Sequence, residues 1–244
     1  MGAVELILIR HGESEGNAAA SAAQAAGLEV IDVKHRDADV PLSKTGRMQA
    51  MALGLWWDGL PAAERPGTVW CSPYLRARQT AEIAGLGPAS GLRVDERLRD
   101  RELGILDTLT AVGVAARYPQ EARRREWLGK FYYRPPGGES WVDVVLRLRS
   151  LLADLDQSED GRRVVLVCHD AVIWLLRYVC EGLNEQTLLD LAAVSVVRNG
   201  SVTRLVRPSG RGCWKIASFD EVAHLEAGGV PVTKHAGDTN VHPR

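Results

Sequence analysis

The sequence predicts an α/β fold in three layers, with helices on both faces of a mostly parallel central sheet that finishes in an antiparallel edge. Three observations predict it. Apolar runs of strand length alternate with longer runs of helix length from residue 4 to about residue 183. Two of those runs, "VELILI" at 4–9 and "RVVLVC" at 163–168, are almost continuously apolar, as strands covered on both faces must be. Near the end, "SVVRNGSVTRLV" at 195–206 sets Asn199 and Gly200 between β-rich runs, the sequence signal of a hairpin and so of an antiparallel edge.

The elements follow in order. After the first strand, "NAAASAAQAAG" is Ala-rich enough for a helix ending at Gly27. A polar loop leads to "SKTGRMQAMALGLWW", a helix capped by Ser43. "TVWC" is the second strand, and "SPYLRARQTAEIAG" the next helix, with Ser72 as its cap and Pro73 in its first turn. "LRVDERL" at 92–98 reads as a third strand, and residues 100–136 as an Arg-rich segment, helical in parts. "GGESWVDVVLRLRSLLADL" restarts a helix with Ser140 as cap, "RVVLVC" is the fourth strand, and "AVIWLLRYVCEGL" is a buried helix. A last strand around "WKIASF" precedes the rest. One domain is expected over residues 1–219, and a loosely ordered tail over 220–244.

Composition narrows the function classes. Lys plus Arg total 30 and Asp plus Glu 31 in 244 residues, so no global pull toward nucleic acid or an anionic membrane is expected. Any anion affinity must be local. The Arg excess over Lys suits bidentate phosphate recognition and equally a coding bias. Cys71, Cys168, Cys180 and Cys213 show no CxxC spacing and read as free thiols in a reducing compartment. No secretory signal opens the chain and no apolar run is long enough to span a bilayer, so a cytoplasmic location is expected.

Strand ends carry the chemistry. In open α/β sheets ligands bind beyond the carboxyl ends of the strands. Here those ends bring Arg10 and His11, Arg76 a turn into its helix, Asp100 with Glu102, and His169 to one edge. Two histidines, two arginines and a carboxylate are what phosphoryl transfer through a phosphohistidine requires. An imidazole attacks phosphorus, guanidinium forks neutralise the oxygens, and a carboxyl group protonates the leaving oxygen. Such a site needs neither metal nor cofactor.

"RHGESEGN", "SPYLRARQTAE", "GGES" and "VVLVCHDAV", in that order, resemble the histidine phosphatase superfamily, the phosphoglycerate mutase-like proteins, from about residue 4 to about residue 206. The resemblance implies the three-layer α/β/α architecture. It implies that His11 is the nucleophile, that Arg10, Asn17 and Arg76 bind the phosphoryl group, and that His169 is a second histidine donating to the transferring oxygens. It places the proton donor at Asp100 of "LRDRELG", where the family usually has glutamate, with Glu102 as the fallback. In the second half the sequence is most similar to the fructose-2,6-bisphosphatase branch, in which Lys130 matches a lysine that holds the sugar phosphate. Trp141, Glu126 and Trp174 replace a tyrosine and two arginines expected there, and Asp170 follows the second histidine in place of glycine or glutamine.

The function expected is a metal-independent phosphomonoesterase acting on a small phosphorylated metabolite through phospho-His11, with Lys130 and Asp170 toward the substrate. The alternatives are a phosphoglycerate mutase-type phosphotransferase and a non-catalytic phospholigand binder. The modest segment between Gly104 and Gly138 argues against the first, and retention of both histidines against the second. Ser14, Glu139 and Ser140 also suit caps and turns, and Arg123, Arg124 and Arg125 suit a solvated helix face. His35, His224, His235 and His242 have no constellation and read as surface residues. Trp56, Trp57 and Trp127 read as packing residues.

Overall fold

The computed structural model describes residues 2–61, 64–87 and 92–235. Six strands form one sheet in the order β3-β2-β4-β1-β5-β6. They are β1 (Glu5–Arg10), β2 (Thr68–Cys71), β3 (Arg93–Val94), β4 (Arg163–Cys168), β5 (Val202–Val206) and β6 (Lys215–Glu221). The first four run parallel, and β5 runs antiparallel to both β1 and β6, so the sheet is mostly parallel with an antiparallel edge, as the sequence predicts. Between the strands lie α1 (Glu15–Ala25), α2 (Lys44–Gly59), α3 (Leu75–Ile83), α4 (Ala111–Arg117), α5 (Pro119–Tyr132), α6 (Trp141–Ser158), α7 (Asp170–Glu181) and α8 (Glu185–Val194), with α9 (Ala223–Ala227) last.

Two apolar layers explain why the central strands read as continuous runs. Leu6 and Leu8 of β1 and Val164 and Leu166 of β4 face a core built with α6, α7 and α8. Ile7, Ile9, Val165 and Val167, one residue out of phase, face a second core built with α2 and α3. Side chains alternate across a strand, so a sheet covered on both sides needs apolar residues at every position. β1 is buried along its whole length.

Helix starts obey their caps in several places. Ser14 and Asn17 form a reciprocal capping box on α1, and Ser140 and Asp143 form another on α6. Gly27 follows α1 at φ +63°, where a side chain would be strained. α3 departs from the expectation. It starts at Leu75 with Tyr74 as cap and no side-chain bond from the cap residue, while the Ser72 hydroxyl accepts from the Tyr74 amide and meets His169.

Other elements differ too. Asn199 and Gly200 do not turn a hairpin: residues 195–198 pair with no strand, and the antiparallel partners of β5 are β1 and β6. The third strand shrinks to two residues. Asp220 and Glu221 complete β6, and α9 follows, with Leu225 fully buried against Ala52 of α2. Residues 236–244, His242 among them, lie outside the described residues. Trp57 is in the core as expected, whereas Trp127 is 75% exposed. Cys71, Cys168 and Cys180 are buried free thiols, and Cys213 is exposed. Among the described residues no helix is long and apolar enough to cross a membrane.

Candidate active site

Register creates the site. Arg10 of β1 stands opposite Cys168 of β4, so the next residue on each strand, His11 and His169, leaves the sheet at the same level. The His11 amide donates to the Cys168 carbonyl at 3.0 Å. The two imidazoles meet edge to face with ring centroids 5.1 Å apart. β2 ends one strand further over, and the Ser72 amide donates to the Val167 carbonyl at 2.9 Å, which brings the Ser72 hydroxyl to 2.8 Å from His169 Nε2.

Both histidines are buried and neutral, each with a defined proton. His11 Nδ1 lies 2.6 Å from the Gly12 carbonyl. A carbonyl only accepts, so Nδ1 carries the hydrogen and Nε2 keeps a free lone pair. Burial holds His11 well below the ordinary histidine range, reinforced by Arg76, His169 and Arg10. Burial likewise pulls His169 down to about 4, against the opposing effect of Asp100. His169 Nδ1 faces the Asp100 carboxylate, which only accepts, so the imidazole proton belongs on Nδ1 and Nε2 is left to accept from the Ser72 hydroxyl. That Nδ1 makes no aligned hydrogen bond, but stands 3.3 Å from Asp100 Oδ2.

Asp100 completes the cluster, and Glu102 does not. Ligating atoms of His11, Asp100 and His169 all lie within 4.8 Å of one another. Burial would raise the Asp100 carboxyl, but His169 and Arg76 outweigh it and hold the group well below the usual carboxylate range. Glu102 is half exposed and accepts from the Tyr74 hydroxyl at 2.8 Å. Two imidazoles and a carboxylate are also metal-ligand types. Arg76 and Arg10, which with burial depress His11, favour an anion over a cation beside that imidazole.

Arg10, Arg76 and Asn17 surround the histidines, each held by partners distant in sequence. Arg10 Nη1 donates to the Val197 carbonyl, and its buried Nε has no protein partner among the described residues. Arg76 is 4% exposed and reaches both Asp37 and Asp100. Asn17 Oδ1 accepts from the Ser14 amide at 3.2 Å and from Asn199 Nδ2 at 3.1 Å. Those two bonds leave its NH2 as the end available to a ligand.

Several residues of the scaffold went unrecognised in the sequence. Asn199 is fully buried; its Nδ2 also donates to the His11 carbonyl, and the Gly200 amide is shared by the carbonyls of Arg10 and His11. Gln49 of α2 accepts from the Glu13 amide at 2.8 Å and donates to the Pro231 carbonyl and the Thr233 hydroxyl. The Asn199 amide donates to the Thr233 carbonyl at 3.0 Å. Residues 231–233 thus strap the loop that carries His11 from behind. His224, expected at the surface, bonds the Gly200 carbonyl at 2.9 Å through Nε2. The Asn-Gly pair was the one sequence signal here, and it marked a turn beneath the histidines.

Lys130 and Asp170 stand outside the histidine cluster. Gly129 kinks α5 at φ +70°, and Lys130 Nζ lies 4.8 Å from the Trp141 ring centroid. Asp170 is the first residue of α7, whose cap position is His169 with no side-chain bond, so the aspartate does not cap the helix. Its Oδ1 accepts from the Val197 amide at 3.3 Å. Burial raises its carboxyl, while Arg10 and Lys130 pull it back down. Ser14 and Ser140 are helix caps. Glu139 binds Arg99 and Arg147, which braces the turn beside Asp100.

The chain is 33% identical over 196 residues to 6-phosphofructo-2-kinase/fructose-2,6-bisphosphatase of Caenorhabditis elegans, covering 79% of this chain and 38% of the relative. It therefore spans little over a third of that bifunctional protein. It is 33% identical over 215 residues to glucosyl-3-phosphoglycerate phosphatase of Mycobacterium tuberculosis, covering 84% of this chain and 86% of the relative. A solved structure of the mycobacterial glucosyl-3-phosphoglycerate phosphatase with VO3 superposes at a TM-score of 0.71 with 29% identity, covering 90% of this chain and all of that one. The model of the histidine phosphatase superfamily, branch 1, matches residues 6–220, and the chain belongs to that family.

Proposed function

We propose that this protein is a phosphomonoesterase that hydrolyses a small phosphorylated metabolite through a phosphohistidine at His11. The observation that carries the reading is the 2.6 Å bond from His11 Nδ1 to the Gly12 carbonyl, which leaves a neutral Nε2 lone pair beside a second histidine and two arginines. Nε2 attacks phosphorus as the ester P–O bond breaks. Arg10, Arg76 and the Asn17 amide take the equatorial oxygens, and the His169 Nδ1 proton adds a donor.

The leaving oxygen takes a proton from Asp100. In the free protein Asp100 is an anion, so it must gain that proton as the substrate binds. A phosphoryl dianion arriving beside it raises its affinity for a proton, because like charges at a partly desolvated site repel strongly. Water then attacks the phosphohistidine, its proton returns to Asp100, and the P–N bond breaks to release phosphate and neutral His11. Both named phosphatase relatives act on small phosphorylated metabolites, which supports that substrate class.

Rapid quench during turnover of an aryl phosphate tests the proposal. The expected result is a phosphoryl adduct stable to base and labile to acid, located at His11 and absent from His11→Ala, with turnover insensitive to EDTA. An active His11→Ala variant overturns it. A panel of phosphorylated metabolites read by released phosphate then locates the substrate, and transfer to a second metabolite in place of water would favour the phosphotransferase reading.

A further inference from the structure

Arg76 meets the phosphoryl position with its fork already filled. Nη1 faces the Asp37 carbonyl at 2.6 Å and Asp37 Oδ1 at 3.0 Å. Nη2 faces Asp37 Oδ2 at 3.2 Å and Asp100 Oδ2 at 3.1 Å. The two terminal nitrogens of a guanidinium carry two hydrogens each, and each nitrogen here faces two protein oxygens. A phosphoryl group can accept from these nitrogens only by displacing one of those oxygens. Three of them belong to Asp37.

Asp37 is also the partner built to move. It opens the single 3-10 turn Asp37–Asp39 in the connection between α1 and α2. The turn's own hydrogen bonds are internal, from the Asp39 amide to Arg36 and from the Val40 amide to Asp37, with Arg36 paired to Asp39. The connection is tied at either side, by the Ile31 amide on Thr108 and by the Leu42 amide on Gln79. The Asp37 side chain is 40% exposed, against 5% for Arg76 and 28% for Asp100, which is also held beside His169. The carboxylate nearest solvent is the one a ligand reaches first.

We propose that Asp37 is a built-in competitor for the phosphoryl group. Its carboxylate and carbonyl hold Arg76 while the site is empty, and the phosphoryl oxygens take over those N–H groups as residues 37–39 swing outward. This rests on the assignment of Arg76 to phosphoryl binding. A carboxylate offers the same paired oxygens as a phosphoryl group, so the exchange never leaves a buried guanidinium unpaired. It also sorts ligands. A dianionic tetrahedral oxyanion competes well against one carboxylate, and a monoanionic carboxylate ligand competes poorly, so Asp37 acts as a specificity determinant. The same competition helps expel inorganic phosphate after hydrolysis.

Calorimetric titration of inorganic phosphate and of sulfate into wild type, Asp37→Asn, Asp37→Ala and Arg76→Ala decides the matter. Removing the competitor should tighten phosphate by about tenfold, equivalent to about 1.4 kcal/mol, in both Asp37 variants. Sulfate should gain at least as much. Unchanged or weaker phosphate binding in Asp37→Asn and Asp37→Ala overturns the proposal and makes Asp37 a positioning residue for Arg76. If Arg76→Ala binds phosphate as tightly as wild type, the assignment of Arg76 fails instead. Hydrogen exchange in unmutated protein gives a second readout: saturating vanadate should speed exchange at the Asp39 and Val40 amides, and slower or unaltered exchange there counts against the outward swing.

Discussion

Replacing Gly46 with alanine should damage catalysis from the far side of the loop that carries His11. Gly46 lies in the first turn of α2, and a Cβ there would stand 1.9 Å from the Glu13 carbonyl oxygen and 2.8 Å from its carbon. The loop presses back equally closely, since a Cβ on Gly12 would lie 2.6 Å from the Gly46 oxygen. Ordinary contact needs about 3.5 Å, so the loop must retreat by roughly 1.5 Å. Glu13 is two residues from His11, and a 1 Å misplacement of a reacting group costs about 10²-fold in rate. Overpacking of this kind costs about 1–3 kcal/mol. At roughly 2–4 °C per kcal/mol for a domain of this size, Tm should fall by about 2–12 °C. Gly59→Ala, at the other end of the same helix, meets nothing within 4 Å and should hold or raise Tm while leaving kcat unchanged. Turnover of an aryl phosphate and a thermal melt on both variants are sufficient. Wild-type kcat and Tm in Gly46→Ala, or equal damage from Gly59→Ala, would refute the close-approach reasoning.

Asp100→Asn should slow esters with poor leaving groups far more than an activated aryl phosphate, by about 10²–10⁴-fold, and Glu102→Gln should show no such selectivity; the reverse pattern in a leaving-group series transfers the proton-donor role to Glu102. Thr233→Val should lower kcat several-fold by removing the hydroxyl that accepts from Gln49 Nε2 and donates to Asn199 Oδ1 behind the loop, with Thr233→Ser restoring it, and an unaffected Thr233→Val would show that the strap does not position the site. Asp170→Gln should raise kcat/KM for doubly anionic substrates and lower it for hydroxyl-rich or cationic monophosphates, whereas a uniform change across the panel would remove Asp170 from the substrate's surroundings. Acid should destabilise the fold through His169: its value is about 4 when folded and near 6.5 when unfolded, so the unfolded chain binds more protons between those limits. Stability is then full above about pH 6.5 and lost as pH falls toward 4, by up to roughly 3 kcal/mol, and Tm against pH should be shallower in His169→Gln than in wild type.

Local pattern was enough for the sheet and for the two histidines. β1 and β4 are apolar at every interior position, 6–9 and 164–167, because both faces are covered, and the polar residues directly after such a run have to sit at the sheet edge. His11 and His169 each hold that place, and the caps Ser43 and Ser140 were equally visible because a cap is settled within three residues. Proximity was a different matter. That the histidines meet depends on Arg10 standing opposite Cys168, a register between segments far apart in the chain. That Asp100, and not Glu102, lies beside the histidines depends on Arg76 and His169 converging on one carboxylate. Asn199 and Gly200 have hairpin chemistry by composition, yet their donors go to the carbonyls of Arg10 and His11, nearly the whole chain length away. Asp37 carries no motif at all, and only the folded chain lays it across Arg76. A residue's secondary structure is set mostly by its neighbours in sequence, whereas its hydrogen-bond partners and its charge state are set by whatever the fold packs beside it. Strand ends could therefore be read in advance, and the network that gives them their chemistry could not.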